Sequence, residues 1–338
     1  MGRMTFVFRR LLLLVPTALG VTIIAFFMIH LIPGDPARTI LGIHATPRAV
    51  AILHREWGLD RPLASQYWLF MDRLVHGNLG MSLVYGTSVA SLITTHLPAT
   101  LFLIIYAAVL AIAISVPLAM IAASRKDGIR DHLVRAVPLL GLGMPAFWLA
   151  LILQTELAVN LRLFPVSGYG NGLIGHLHAL FLPALVVAIA LCPVVIRSLR
   201  ASMLNVLGAE FITTARAKGI PGRRLFVRHV LRNAVIPAVT VLGINIGFLI
   251  GGTVIVESVF AVDGVGYLMI NSIFQRDFPV VQGVALVFGI MVVLVNLLTD
   301  VAYATSVSRL TSTTRTPKSR ATPCTTGKSR WTIELIIR

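Results

Sequence analysis

Six stretches of about twenty mostly apolar residues recur along this chain, at 11–32, 98–123, 136–157, 177–196, 234–256 and 280–301. That length matches the hydrocarbon thickness of a bilayer, where a helix satisfies every backbone N–H and C=O within its own segment. Prolines 117, 183, 193 and 237 fall inside these runs, and spans tolerate them when neighbouring helices re-satisfy the backbone. Composition agrees: 57% of residues are hydrophobic and only 12% charged, against roughly 25% charged for a soluble domain. The first run follows Arg3, Arg9 and Arg10 like a secretory signal. Its apolar run is too long for a signal core and no small-x-small site follows, so it reads as an uncleaved anchor.

Charge orients the bundle. With the amino terminus inside, 22 of the 29 Lys and Arg residues fall on the cytoplasmic side, in the start, the 125–135 loop, the 197–232 insert and the tail. The net charge of +16 is therefore mainly a topology signal together with attraction to anionic lipid. Nucleic acid is not expected as a partner, because the basic residues sit in short loops.

One basic insert carries the functional signal, AEFITTARAKGIPGRRLFVRHVLRNAVIPAVT at 209–240. Leu204, Leu207, Phe211 and Ala215 share one helical face, Glu210 stands early, and Arg216 and Lys218 occupy the last turn, as the helix dipole favours. Gly219 supplies a left-handed stop, Pro221 forbids continuation, and a second basic helix is expected over 223–232. Such a helix can serve as a handle for another protein, or lie on anionic lipid.

At these residues the chain resembles the membrane permeases of binding-protein-dependent ABC importers, whose shared loop reads approximately E-A-A, three residues, G, nine residues, I-x-L-P. Thr213, Thr214 and Ala215 precede Gly219 at that spacing, and His229-Val230-Leu231-Arg232 follows nine residues on. The variant is similar to the first permease subunit of the dipeptide, oligopeptide and nickel branch. The resemblance extends in order through LIPGDPA (31–37), GLDRPLASQY (58–67), LPATL (97–101), PAFW (145–148), VESVF (256–260) and NLLTDVAY (296–303). Departures are Thr213 for the branch's Arg, Asn78 for the Asp of GDLG, and Asp263 for a proline in the outer loop.

The resemblance implies an all-α integral membrane protein with six transmembrane helices in the type I ABC importer permease fold, with a small external helical domain after the first span. Its parts would be 1–33, the cytoplasmic start and first span; 34–96, the external segment; 97–305, a five-span core with the coupling loop 197–233; and 306–338, a cytoplasmic tail. The external segment is expected to hold one helix capped by Thr46, with Pro47 first and Gly58 past its end, and another over 62–76 stopped by Gly77. The tail turns rich in Ser, Thr, Pro and basic residues, which predicts disorder.

The resemblance assigns Glu210, Thr213, Thr214, Ala215, Arg216, Lys218, Gly219 and Leu231 to the coupling loop that docks an ATPase. Gly243, Gly247 and Gly251, four residues apart, suit close helix packing within this chain or at a seam with a second permease. Asn245, with Asn296 and Gln154, is a buried polar candidate for the pathway wall or for interhelical bonding. Glu257, Asp263, Gly264 and Gly266 belong to an outer gate.

Chemistry on the chain itself is not expected. The segment 322–329 imitates a phosphate loop but has Thr322 where the first glycine is required and no apolar strand before it. ATP and Mg would sit on partner subunits, so no cofactor is expected on this chain. His176 and His178 lack acidic or cysteine companions, so no metal site is expected. Cys192 lies in a span and Cys324 in the tail, so no disulfide is expected. An ion-coupled secondary transporter would carry charges at mid-span, whereas Glu156, Glu257 and Asp300 lie near span ends.

The resulting expectation is a bacterial inner-membrane permease with both termini cytoplasmic. Its partners would be a second homologous permease, two ATPase subunits, an external solute-binding protein and membrane lipid. Its solute would be a peptide or peptide-like, with nickel chelate, glutathione and short sugars as alternatives.

Overall fold

A computed structural model describes residues 3–30, 35–42, 45–58, 60–82, 84–124 and 126–313. Fourteen α-helices are set out among the described residues: α1 (Arg3–His30), α2 (Pro36–Leu41), α3 (Pro47–Trp57), α4 (Leu63–Val75), α5 (Val89–Ser124), α6 (Ile129–Gly143), α7 (Ala146–Leu153), α8 (Gly172–Ala179), α9 (Phe181–Leu207), α10 (Glu210–Ala217), α11 (Gly222–Leu225), α12 (Arg232–Val259), α13 (Val265–Phe274) and α14 (Phe278–Thr313). Two π-helical turns, Gln154–Asn160 and Phe226–Leu231, continue α7 and join α11 to α12. The sole extended pairing among the described residues is one bridge, Met81 with Ser88.

The core forms where α5 lies along α9, with α12 against α9 and α14, and α1 against α14. Ala107, Ala111, Ser115, Ala119 and Ala123 recur every four residues on α5 and are all buried. Small side chains at that spacing let backbones approach closely, so van der Waals packing drives association where lipid is as apolar as the side chains. Leu182, Val187, Leu191 and Val195 of α9 belong to the same core.

Among the described residues, three helical segments are each long and apolar enough to cross a bilayer: Val89–Ser124, Phe181–Leu207 and Phe278–Thr299. The apolar run at 136–157 is not one helix. It breaks between α6 and α7 because Met144, forced extended by the proline that follows (φ −91°, ψ 127°), cannot hold α-geometry. The sixth run continues past the expected start of the disordered tail, since α14 reaches Thr313; residues 314–338, with the 322–329 segment and Cys324, lie outside the described residues.

Between α1 and α5, the two expected helices form with the expected signals. The Thr46 hydroxyl accepts from the Ala49 N–H, Pro47 stands first in α3, and Gly58 closes it at φ 65°. The stop after α4 is Gly77 at φ 72°. A short helix, α2, precedes them, with Asp35 accepting from the Ala37 N–H. This segment folds back onto α1: the hydroxyls of Thr22 and Tyr67 lie 2.8 Å apart, His30 Nε2 lies 2.8 Å from Gln66 Oε1, and Phe26 meets Tyr67 edge to face.

Candidate coupling segment and outer gate

The helix leading to the coupling segment stops early. Instead of one helix through 204–218, α9 ends at Leu207, Gly208 caps it, and Ala209 turns extended before α10 begins. Ile212 and Ala215 pack into the bundle, while Phe211, one turn before Ala215 at the edge of that face, is 47% exposed. Glu210 occupies the first turn of α10, where a carboxylate complements the exposed N–H groups. Thr213, Thr214, Arg216 and Lys218 are exposed, with the Thr214 hydroxyl donating to the Glu210 carbonyl at 3.2 Å.

Gly219 ends α10 as its sequence position implies. It adopts φ 73°, its N–H donates to the Arg216 carbonyl at 2.9 Å, and the Ile220 N–H returns to Ala215 at 3.3 Å. A β-carbon there would meet open space, so backbone conformation alone requires glycine. The second basic helix is not separate. α11 runs through the π-turn, which contains the half-buried Leu231, straight into α12.

On α12 the three glycines differ. A β-carbon on Gly243 would collide with the Thr299 side chain of α14; on Gly247 it would make ordinary contact with Val292 at 3.5 Å; on Gly251 it would meet nothing within 4 Å. Gly243 thus serves packing inside this chain. Asn245 donates to the Val241 carbonyl of its own helix at 2.7 Å, Asn296 is exposed, and Gln154 bridges the carbonyls of Val166 (2.8 Å) and Val259 (3.2 Å). Gln154 is a strut for the far end of α12.

At that end Glu257 is fully buried. Its Oε2 accepts from the N–H groups of Gly266 at 2.7 Å and Tyr267 at 3.1 Å, while the Thr100 hydroxyl of α5 accepts from Val265 at 2.8 Å. The carboxylate and Thr100 therefore cap α13 from two other helices. Gly264 and Gly266 are needed for closeness: a β-carbon on Gly264 would collide with the Glu257 carboxylate, and one on Gly266 would lie 2.6 Å from the Val254 Cα. Asp263 points outward, 68% exposed, and pairs with His96 of α5 at 3.0 Å. The roles of Thr100 and His96 were missed by the sequence reading; their signal was a polar residue within the LPATL motif and one immediately before it.

Elsewhere, His176 and His178 diverge: the first stacks on Tyr169 and bonds its carbonyl at 2.9 Å, the second bonds the Leu163 carbonyl at 3.0 Å. Among the described residues no three His, Cys, Asp or Glu side chains group as metal ligands.

Comparison with known sequences covers both halves of the chain. The profile described as "Binding-protein-dependent transport system inner membrane component" matches residues 115–312, and that of "Binding-prot-dependent transport system membrane comp, N-term" matches residues 3–104. The "Glutathione transport system permease protein GsiC" of Escherichia coli (strain K12) is 36% identical over 301 residues, 89% of this chain and 97% of the relative. The "Dipeptide transport system permease protein DppB" of the same strain is 36% identical over 326 residues, 88% of this chain and 96% of the relative. With matches spanning α1 to α14 and including the exposed α10 helix, the chain belongs to the family of binding-protein-dependent transport system inner membrane components, the permease subunits of ABC importers.

Proposed function

We propose that this chain is one half of a heterodimeric pathway for ATP-driven import of peptides or peptide-like solutes across a bacterial plasma membrane. It would span six times with both termini cytoplasmic, α2–α4 outside, α10 inside, and residues 311–338 dispensable. The partners are a second homologous permease, two ATPase subunits that hold ATP and Mg, and an external solute-binding protein. The observation that carries the reading is α10 itself: a short helix held to the bundle by Ile212 and Ala215, turned by Gly208 and stopped by Gly219, with Phe211, Thr213, Thr214, Arg216 and Lys218 presented outward.

In the cycle we infer, ATP draws two ATPase subunits together, their grooves carry α10 with them, and the bundle turns from inward-open to outward-open. Solute is then released from the binding protein into the pathway. Because coupling is a free energy shared between sites, docking of the binding protein outside must change ATP affinity inside by the same factor as ATP binding changes docking. This subunit transmits work and performs no bond chemistry.

Relatives named for dipeptide and for glutathione are equally similar, at 36% identity each, so both solutes belong in the test. The chain would be co-expressed with its neighbouring permease, ATPases and binding protein, reconstituted into proteoliposomes, and assayed for ATP-dependent uptake of a labelled dipeptide and of labelled glutathione. Uptake of either, abolished by omitting the ATPases, is expected. Uptake driven by an ion gradient without ATPases would overturn the reading.

A further inference from the structure

The cytoplasmic rim contains a buried ion pair that neither the coupling loop nor the outer gate uses. Asp131, in the first turn of α6, is fully buried, and Arg200 of α9 is 15% exposed at its side chain. The guanidinium meets the carboxylate edge on, Nε to Oδ1 and Nη2 to Oδ2, each at 2.5 Å. The Asp127 N–H donates to Oδ2 at 3.1 Å, with Asp127 itself at φ 61°, and Arg135 stands 3.5 Å from Oδ1. Every element around the carboxylate thus supplies positive charge or an N–H, and the fork fixes orientation as well as distance.

The location gives the pair its meaning. Arg200 lies seven residues before the end of α9, and α10 follows after Gly208 and Ala209. A groove lined by Ala123, Ser124, Leu207, Arg216, Ile220 and Leu225 separates the end of α5 from α10 and α11. The α5–α6 corner is therefore not packed tightly onto α10. α5 and α6 both pack on α9, and within that packing the Asp131–Arg200 fork is an oriented polar contact through which a displacement of α10 reaches the corner.

We propose that Asp131 and Arg200 are positioning residues for energy coupling, the oriented contact that fixes how the α5–α6 corner, already packed on α9, follows the coupling helix. The inference rests on the permease reading above. Replacing a buried ion pair with apolar side chains of similar volume is often neutral or stabilising, whereas removing one partner strands a buried charge. The double variant Asp131→Leu/Arg200→Met therefore separates stability from transmission: it keeps the rim packed and removes the oriented fork.

The experiment uses the whole reconstituted assembly. For the double variant, ATPase co-purification, thermal unfolding temperature and basal ATP hydrolysis are expected to match wild type, while binding-protein-stimulated hydrolysis and uptake fall by about tenfold. Stimulated hydrolysis and uptake equal to wild type would overturn the proposal, because the pair would then serve packing alone. Should the double variant fail to assemble, Arg200→Lys keeps the charge and loses the bidentate fork; a fall of about threefold in stimulated over basal hydrolysis is expected, and an unchanged ratio would overturn the proposal. A wild-type assembly that recruits no ATPase would overturn the permease reading itself, and is distinguished by failing before any substitution is made.

Discussion

Glu257 caps a helix it does not belong to: its Oε2 lies 2.7 Å from the N–H of Gly266, in the first turn of α13, and 3.1 Å from that of Tyr267. Glu257→Ala would leave both N–H groups buried without an acceptor, at a cost of about 1–3 kcal/mol each. Glu257→Gln retains an acceptor and should be much milder. Protease sensitivity of the 260–264 loop in purified protein checks this, with Glu257→Ala cleaved faster than wild type and Glu257→Gln close to it.

At Gly219, φ 73° and open surroundings make conformation the only local demand. Gly219→Val should strain the stop by about 1–2 kcal/mol, while Gly219→Asn, whose short side chain tolerates the left-handed region, should cost less. Co-purification of the ATPase subunits is expected to fall with Val and to persist with Asn. Glu210→Lys should act more weakly, since a charge at this helix end is worth about 0.3–1 kcal/mol. Equal recruitment by all three variants would return α10 to a helix lying on lipid.

The glycines of α12 should respond unequally. Gly243→Leu drives a side chain into Thr299, and overpacking of this kind costs about 1–3 kcal/mol. Gly251→Ala enters open space and should leave the isolated subunit unchanged. Thermal unfolding of the purified chain distinguishes the two, and a larger loss at Gly251 than at Gly243 would contradict the packing described.

The α2–α3 junction should depend on pH. Partial burial raises the Asp35 carboxyl, but the hydrogen bonds from His54 and the Ala37 N–H outweigh it and hold the group below its ordinary 3.8. Hydrogen bonds to Asp35 and Asp60, at 2.9 and 3.1 Å, hold the His54 imidazolium above its ordinary 6.5. The raised histidine contributes stability that is complete below 6.5 and lost as pH climbs through its folded value. The lowered carboxyl contributes above 3.8 and loses its contribution as pH falls through its folded value. Hydrogen exchange in α2 and α3 should therefore be slowest, after correction for intrinsic rates, between pH 3.8 and 6.5. His54→Ala should abolish the loss on the alkaline side.

The proposed topology, which would put 22 of the 29 basic residues on the cytoplasmic side, is open to direct test. Reporter fusions after Ser124, Leu204 and Ser308 should report cytoplasm, and those after Thr46 and Gly264 the exterior. An exterior signal at Leu204 would remove α10 from any reach of ATP.

What the sequence made legible was local. Thr46, Pro47 and Gly58 carried α3 because cap chemistry acts within a few residues, and Gly219 carried the stop of α10 for the same reason. The breaks at Met144 and Gly208 escaped because apolar residues continue on both sides of Pro145 and Gly208 and hid the breaker signal that each carries. Glu257 was placed at the outer gate, yet its task needed Thr100, whose bonded partner Val265 stands 165 residues away. Asp131 and Arg200, 69 residues apart, gave no shared signal at all. Each looked like an ordinary charge bordering an apolar run.

The π-turn at Phe226–Leu231 fixes more than its own six residues. Leu225 and Val230 are both buried although they stand five apart, a spacing that carries an α-helix about 140° off a shared face. Hydrogen bonding to the fifth residue accommodates one extra residue in the turn and keeps both inward. Every side chain of α12 inherits that phase. Without the added residue the whole helix beyond would be rotated by about 100°, and the place where Gly243 lets Thr299 in would be taken by a residue with a side chain. A hydrogen-bonding irregularity at the start of α12 thus sets the azimuth of a helix that runs on for 28 residues to its far end.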